Sequence, residues 1–189
     1  SQDPVFIAAR PADASSPIIV PAVAHVSGAQ GTFWKSDITL FNPTSVPMTV
    51  SFALLEDPTR PERTVDIAPL MSVAIDDVVT WLGAEGKGTL VVRAIDSQAA
   101  PVVTSRTFTT REDGGTYGQA IEAIDPSAFT EKSAITGLKS SGGFRTNIGL
   151  VNVAAESVSV NLQLVSKEGV VASTSTMVAP RGSIQTAAA

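Results

Sequence analysis

His25 is the only histidine in the chain, which makes it the first residue to test for chemistry. A general base needs a nucleophile within hydrogen-bond reach, and a zinc site needs three or four converging ligands. The surrounding Val20-Pro21-Ala22-Val23-Ala24-His25 offers neither, so His25 reads as a strand or loop residue. Gly83-Ala84-Glu85-Gly86-Lys87-Gly88-Thr89 superficially resembles a phosphate loop. Its spacing is wrong, since two residues rather than four separate Gly83 from Gly86-Lys87. A strand is expected after it, so no helix N-terminus would meet a phosphate. It reads as a turn. Carboxylates recur at Asp76-Asp77, Glu112-Asp113, Glu122 and Asp125. Paired carboxylates about 5–10 Å apart hydrolyse glycosides, and several converging ones bind Ca²⁺. No Asp-x-Asp-x-Asp-Gly loop is present, so these read as solvated turns, with a weak Ca²⁺ site as the sharper reading. Cysteine is absent, which excludes disulfides, thiolate metal sites and thiol nucleophiles. No catalytic, metal-binding or cofactor-binding residue is therefore predicted, no cofactor is implied, and the chain does not read as an enzyme.

Composition narrows the partners. Of the 189 residues, 43% are apolar and 16% charged, with a net charge of −5. That is ample material for a core and argues against disorder. No basic stripe exists to neutralise phosphates, so nucleic acid is not an expected partner. No apolar run approaches the ~18 residues of a membrane span. Ser1 in place of Met reads as a processed or cut chain, with no signal peptide visible. Few Lys, many Ser and Thr, and low aromatic content suggest a secreted protein.

The elements that would position any site are strands. Ile38 and Leu40 alternate with Asp37 and Thr39; Val50, Phe52 and Leu54 alternate with Thr49, Ser51 and Ala53; Val158, Val160, Leu162 and Leu164 alternate with Ser159, Asn161 and Gln163. Such alternation buries one face and solvates the other, as antiparallel sheets do. Turn residues interrupt it at Asn42-Pro43, Asp57-Pro58, Ala68-Pro69, Gly114-Gly115, Gly142-Gly143, Lys167-Glu168-Gly169 and Ala179-Pro180. The spacing predicts an all-β sandwich with strands over 18–26, 33–41, 47–55, 62–68, 88–95, 101–109 and 116–124. A second series is predicted over 133–139, 144–152, 157–166, 170–178 and 183–187. Only 76–82 reads as helical, with Asp76 or Asp77 as cap and Gly83 as stop.

The sequence also repeats. Residues 34–42 (Trp-Lys-Ser-Asp-Ile-Thr-Leu-Phe-Asn) align with 144–152 (Phe-Arg-Thr-Asn-Ile-Gly-Leu-Val-Asn) at an offset of 110. Met48, Val50, Phe52 and Leu54 then fall on Val158, Val160, Leu162 and Leu164. One inserted residue later, Ile67-Ala68-Pro69 falls on Val178-Ala179-Pro180 and Ser72-Val73 on Ser183-Ile184. Chance alternation would not bring the aromatic, the Asp/Asn, the Asn and the Pro along, so duplication is expected. The fold class expected is all-β, with two related immunoglobulin-like antiparallel β-sandwich units: an extended arm over 1–17, a first unit over 18–127, and a second, incomplete unit over 128–189. The later copy lacks counterparts of the strands at 88–95, 101–109 and 116–124. Three explanations compete: the copies share one sheet system, the chain is a fragment, or another chain supplies a strand. Pro4, Pro11 and Pro17 favour extended backbone in the arm, and Val5, Phe6 and Ile7 make it a candidate assembly strand. It pairs either with its own sandwich or with a neighbouring subunit.

Five further stretches carry a resemblance: residues 20–25 (Val-Pro-Ala-Val-Ala-His), the Trp34 to Pro43 strand, Ser105-Arg106-Thr107-Phe108, Gly114-Gly115-Thr116-Tyr117-Gly118-Gln119, and Phe144 to Asn152. Over about residues 18–186 the chain resembles a family of secreted bacterial β-sandwich repeat modules. The shared motifs are Trp-x-Ser/Thr-Asp-Ile/Leu-x-Leu-x-Asn-Pro and Phe-Arg-Thr-Asn-Ile/Leu-Gly-Leu-x-Asn. The resemblance implies appendages of large extracellular proteins and supplies no activity. It also implies a chain continuing beyond the equivalent of Ala189.

The repeated positions read as structural. Asp37 matches Asn147 and Asn42 matches Asn152, and short polar side chains there can tie strand ends to backbone. Trp34 matches Phe144, so apolar volume is what repeats, and Trp34 and Trp81 read as core plugs, with exposed glycan-stacking rings as the alternative. Arg106 and Arg145 read as ion-pair or carbonyl clamps, with a subunit contact as the sharper reading. The function expected is a non-enzymatic extracellular structural or adhesive module, such as a surface-filament subunit assembled by strand donation, with a homo-oligomer or larger assembly as partner. The alternative is a carbohydrate- or ligand-binding accessory module with a glycan partner.

Overall fold

The computed structural model describes residues 16–97, 99–111, 114–129, 132–138 and 146–187. Val5, Phe6 and Ile7 of the arm lie outside the described residues, as do Glu112-Asp113, Gly142-Gly143, Phe144 and Arg145.

The alternating segments form strands, and the fold is all-β and sandwich-like. Eight strands make one antiparallel system: β1 (Ile18–Ser27), β2 (Phe33–Phe41), β3 (Met48–Leu54), β4 (Arg63–Ile67), β5 (Ser72–Ile75), β6 (Gly86–Ala94), β7 (Val102–Thr110) and β8 (Thr116–Ile121). β2 pairs β7 along one edge, while its other edge meets β1 at Phe33 to Lys35 and β5 at Ile38 to Phe41. β1 therefore joins two layers, β4-β3-β6-β1 and β5-β2-β7-β8. Their inward residues interdigitate. Val20, Ile38, Leu40, Met48, Phe52, Leu90 and Val92 are essentially inaccessible. Each such side chain contributes about 1.5–3 kcal/mol of transfer free energy when fully buried.

A short helix, α1 (Val78–Trp81), closes one end of this core with Val78 and Val79. It is shorter than expected, and neither aspartate caps it. Asp77 stands at the cap position in the left-handed region (φ 46°), and its side chain makes no capping bond. Its carboxylate is engaged with His25 instead. Gly83, at φ 72°, stops the helix as expected.

The remaining strands are β9 (Asn147–Asn152), β10 (Val158–Ser166), β11 (Gly169–Val178) and β12 (Gly182–Ala187). Among the described residues they form two separate two-stranded sheets, β10-β11 and β9-β12, so the repeated segments do not share one sheet. The expected strand over 133–139 does not form in its described part, because 132–138 carries no regular structure. β5 was not anticipated, although its match at Ser183-Ile184 was. The strand placed over 116–124 ends at Ile121, after which Ile124 makes an isolated bridge to Ile19. The two regions touch where Ser183 Oγ donates to Glu56 Oε1 at 2.6 Å. Glu56 Oε2 accepts the Thr89 N–H at 2.9 Å.

Candidate functional site

The repeated residues lead to the site. Asn42 is fully buried at the end of β2. Its Nδ2 donates to the carbonyls of Val46 (2.8 Å), Ile67 (3.0 Å) and Ala68 (3.3 Å), and its Oδ1 accepts from Thr44 N–H at 2.9 Å. Asn152 makes the same set: Nδ2 to Glu156, Val178 and Ala179, and Oδ1 from Ala154 N–H. The backbone repeats with it. Leu70 and Arg181 both take positive φ, 57° and 45°, and each N–H returns to the carbonyl of Thr44 or Ala154. A side-chain amide that satisfies carbonyls from two directions ties the end of one layer to the hairpin of the other.

Pairing registers repeat as well. Met48↔Ile67, Val50↔Val65 and Phe52↔Arg63 in β3-β4 become Val158↔Val178, Val160↔Thr176 and Leu162↔Thr174 in β10-β11. Ile38↔Ile75 and Leu40↔Val73 become Ile148↔Thr186 and Leu150↔Ile184.

What does not repeat is the covering. β3 has β4 on one edge and β6 on the other, through Val50↔Ala94, Phe52↔Val92 and Leu54↔Leu90. β10 has only β11 among the described residues. Met48, Val50 and Phe52 are wholly inaccessible, whereas Val158 is 41% and Leu164 39% exposed and Val160 and Leu162 are half-buried. β9 likewise pairs only β12, while β2 also carries β7. The result is an open edge beside an apolar face. Just beyond the two ends of the β3-β6 pairing, Leu55 N–H donates to the Thr89 carbonyl and Ile95 N–H to the Thr49 carbonyl. Ser51 and Ala53 therefore aim their backbone groups at β6. By the shared register, Asn161 and Gln163 aim theirs at the open edge of β10.

The other candidates are placed as follows. Asp37 Oδ1 accepts from Asp77 N–H at 2.9 Å and so anchors the turn before α1. Its match Asn147 is exposed at the start of β9, and position 188, the match of Asp77, lies outside the described residues. Trp81 packs on the core, edge-to-face with Phe52 at 5.3 Å, under the Arg63 guanidinium. Trp34 is only half-buried and is no core plug; its indole packs against Gly28, where a Cβ would collide with the ring. Arg106 lies over the Phe108 ring and donates to the Thr116 hydroxyl, so it bridges β7 to β8 and, among the described residues, serves as neither ion pair nor carbonyl clamp.

His25 has partners that its sequence surroundings did not disclose. Asp77 Oδ2 lies 2.7 Å and Thr80 Oγ1 2.8 Å from its Nδ1, and Phe33 packs edge-on at 4.7 Å. Carboxylate and hydroxyl meet the same ring nitrogen. A hydrolase relay sets them on opposite nitrogens, so this cluster is built as a brace between β1 and α1. The signal was non-local, 52 residues away, and invisible to motif reading. His25, Val26, Ser27, Phe33, Glu85 and Gly86 line a shallow cleft of about 550 Å³. Among the described residues no three His, Asp or Glu side chains converge as a metal site. No helix among them is long and apolar enough to cross a membrane.

Two exposed carboxylates are tuned by hydrogen bonds. The Thr59 hydroxyl and the Arg60 guanidinium hold Asp57 below the ordinary 3.8. The Thr49 backbone N–H does the same for Asp96, at 2.8 Å. Asp57 braces the turn after β3, and Asp96 ties the turn after β6 to Thr49 in β3.

No protein-family model matches the chain, and no curated protein does. The chain is similar to the crystal structure of Thermotoga maritima 1070, at 10% sequence identity over 60% of this chain and 96% of that one, with a TM-score of 0.45. That degree of likeness bears on neither fold nor function.

Proposed function

We propose that this chain is a non-enzymatic structural module of an extracellular bacterial assembly, in which a β-strand from another chain completes the β10-β11 layer. One observation carries the reading. Side chains wholly buried in β3 have counterparts in β10 that stay open, beside an edge whose backbone groups have no partner among the described residues. An unpaired edge next to an apolar face is the template for strand addition. The extracellular setting rests on the resemblance and composition described above.

The test is assembly in solution. Gln163→Pro removes an N–H aimed at the open edge and leaves the β11 ladder intact. Light scattering and negative-stain microscopy should show concentration-dependent assemblies of the parent and at least tenfold fewer from this variant, with unchanged circular dichroism. Equal assembly by both proteins rules the reading out.

The second reading, a glycan-binding module, is favoured by a different observation. Phe33 is 44% exposed beside His25 and Glu85 in the shallow cleft. Phe33→Ala should abolish any signal on a glycan array, and an array without signal for the parent removes this reading.

A further inference from the structure

We infer that residues 5–9 of a second copy of this chain are the strand that β10 accepts, in the place that β6 holds beside β3. This rests on the strand-addition reading and names its donor, its direction and its register.

β6 sets what the matching edge of β10 has to receive. Leu90, Val92 and Ala94 point inward and are 0%, 0% and 8% exposed, while Val91 is half-buried and Arg93 exposed. The requirement is thus large, large, small at alternate positions. Residues 4–9 read Pro-Val-Phe-Ile-Ala-Ala against Thr-Leu-Val-Val-Arg-Ala at 89–94. Val5 falls on Leu90, Ile7 on Val92 and Ala9 on Ala94, so in both segments two branched apolar residues are followed by alanine.

The prolines fit too. Pro4 falls on Thr89, whose N–H goes to the Glu56 side chain and not to the ladder, so a residue without an N–H costs no sheet bond there. Pro11 falls on Asp96, beyond the end of β6 at Ala94. The six intervening positions, 5–10, contain no proline and so keep every N–H that a ladder would use.

The register follows from β3-β6. Leu54↔Leu90, Phe52↔Val92 and Val50↔Ala94 map to Leu164↔Val5, Leu162↔Ile7 and Val160↔Ala9, antiparallel. The half-exposed face of β10 would then receive Val5, Ile7 and Ala9, and Asn161 and Gln163 would bond the backbone of Ala8 and Phe6. The donor precedes β1 and the acceptor lies in β10, so each copy gives one strand and takes one. That head-to-tail contact is heterologous and propagates unless rotation closes a ring.

The absence of cysteine makes the test direct. Ala9→Cys and Val160→Cys are placed in separately tagged copies of the full chain, mixed and mildly oxidised. Their Cα atoms would form a non-hydrogen-bonded pair about 4.5 Å apart, within disulfide reach. The expected result is a mixed disulfide dimer in most of the protein, and likewise for Val5→Cys with Leu164→Cys. Ala9→Cys with Leu164→Cys is four residues, roughly 13 Å, out of register and should give at least tenfold less. Equal yields for both pairings, no mixed dimer, or a disulfide confined to one copy of the double variant would each overturn the inference. If Gln163→Pro blocks assembly while no mixed dimer forms, the donor is wrong and strand addition stands. If Gln163→Pro changes nothing, both fail.

Discussion

Phe52 and Leu162 occupy the same place in the same strand pairing, yet the first is wholly buried and the second half-exposed. Their hairpins share register, the Asn clamp and the positive-φ turn residue. The difference lies in β6, β1, β7 and β8, which cover the first pair of hairpins and have no counterparts among the described residues around the second. Pairing within a hairpin is thus a local property that the sequence carries from one copy to the other. Burial is a property of strands that arrive from elsewhere.

The comparison can be broken most sharply by truncating both residues. Phe52→Ala should cost about 3–5 kcal/mol in chemical denaturation, because it empties a closed core and removes the ring against which Trp81 packs. Leu162→Ala should cost below about 1 kcal/mol in dilute protein, since water already reaches that site. Equal losses would mean that β10 is covered even in the monomer.

Next in size is the clamp that the regions share. Asn42→Ala leaves buried carbonyls without a donor and should cost about 2 kcal/mol of global stability. Asn152→Ala removes the same bonds from a region with little core. Its effect should be local, read as faster hydrogen exchange at the Ala154 and Arg181 amides with the first region unchanged.

A smaller contrast concerns the edges themselves. In dilute protein the Asn161 and Gln163 amides should exchange at least a hundredfold faster than those of Ser51 and Ala53, which face β6. Raising the concentration into the assembled range should close that gap if a strand is added, and a constant gap argues that none is.

The least effect is expected from pH. Asp96 has a folded pKa below its ordinary 3.8, so its contribution is present above that value and fades as pH falls through the depressed folded one. Asp96→Asn should therefore flatten the acid limb of the first region's stability slightly and leave exchange in β10-β11 untouched. A steepened limb would contradict the assignment.

Much of this was readable in advance. Alternation located every strand but β5, and the repeat would have found that one as well, since Ser72-Val73 matches Ser183-Ile184. Asn42 and Asn152 were marked by recurrence alone. The brace at His25 was not legible, because Asp77 and Thr80 reach it from across the chain. Asp77 looked like a helix cap because local spacing cannot reveal a competing partner. Trp34 looked like core because apolar volume repeats at its position, whereas its depth depends on how β1 and β7 flank it.

The sequence by itself determined the period-2 strands, the hairpin registers and the two asparagine clamps, because each depends on neighbours within about thirty residues and on backbone chemistry that travels with them. Tertiary structure alone decided which of two matched faces is sealed and which edge is left open. That outcome turns on strands distant in sequence, since the inward positions Val158, Val160, Leu162 and Leu164 of β10 are as apolar as Met48, Val50, Phe52 and Leu54 of β3.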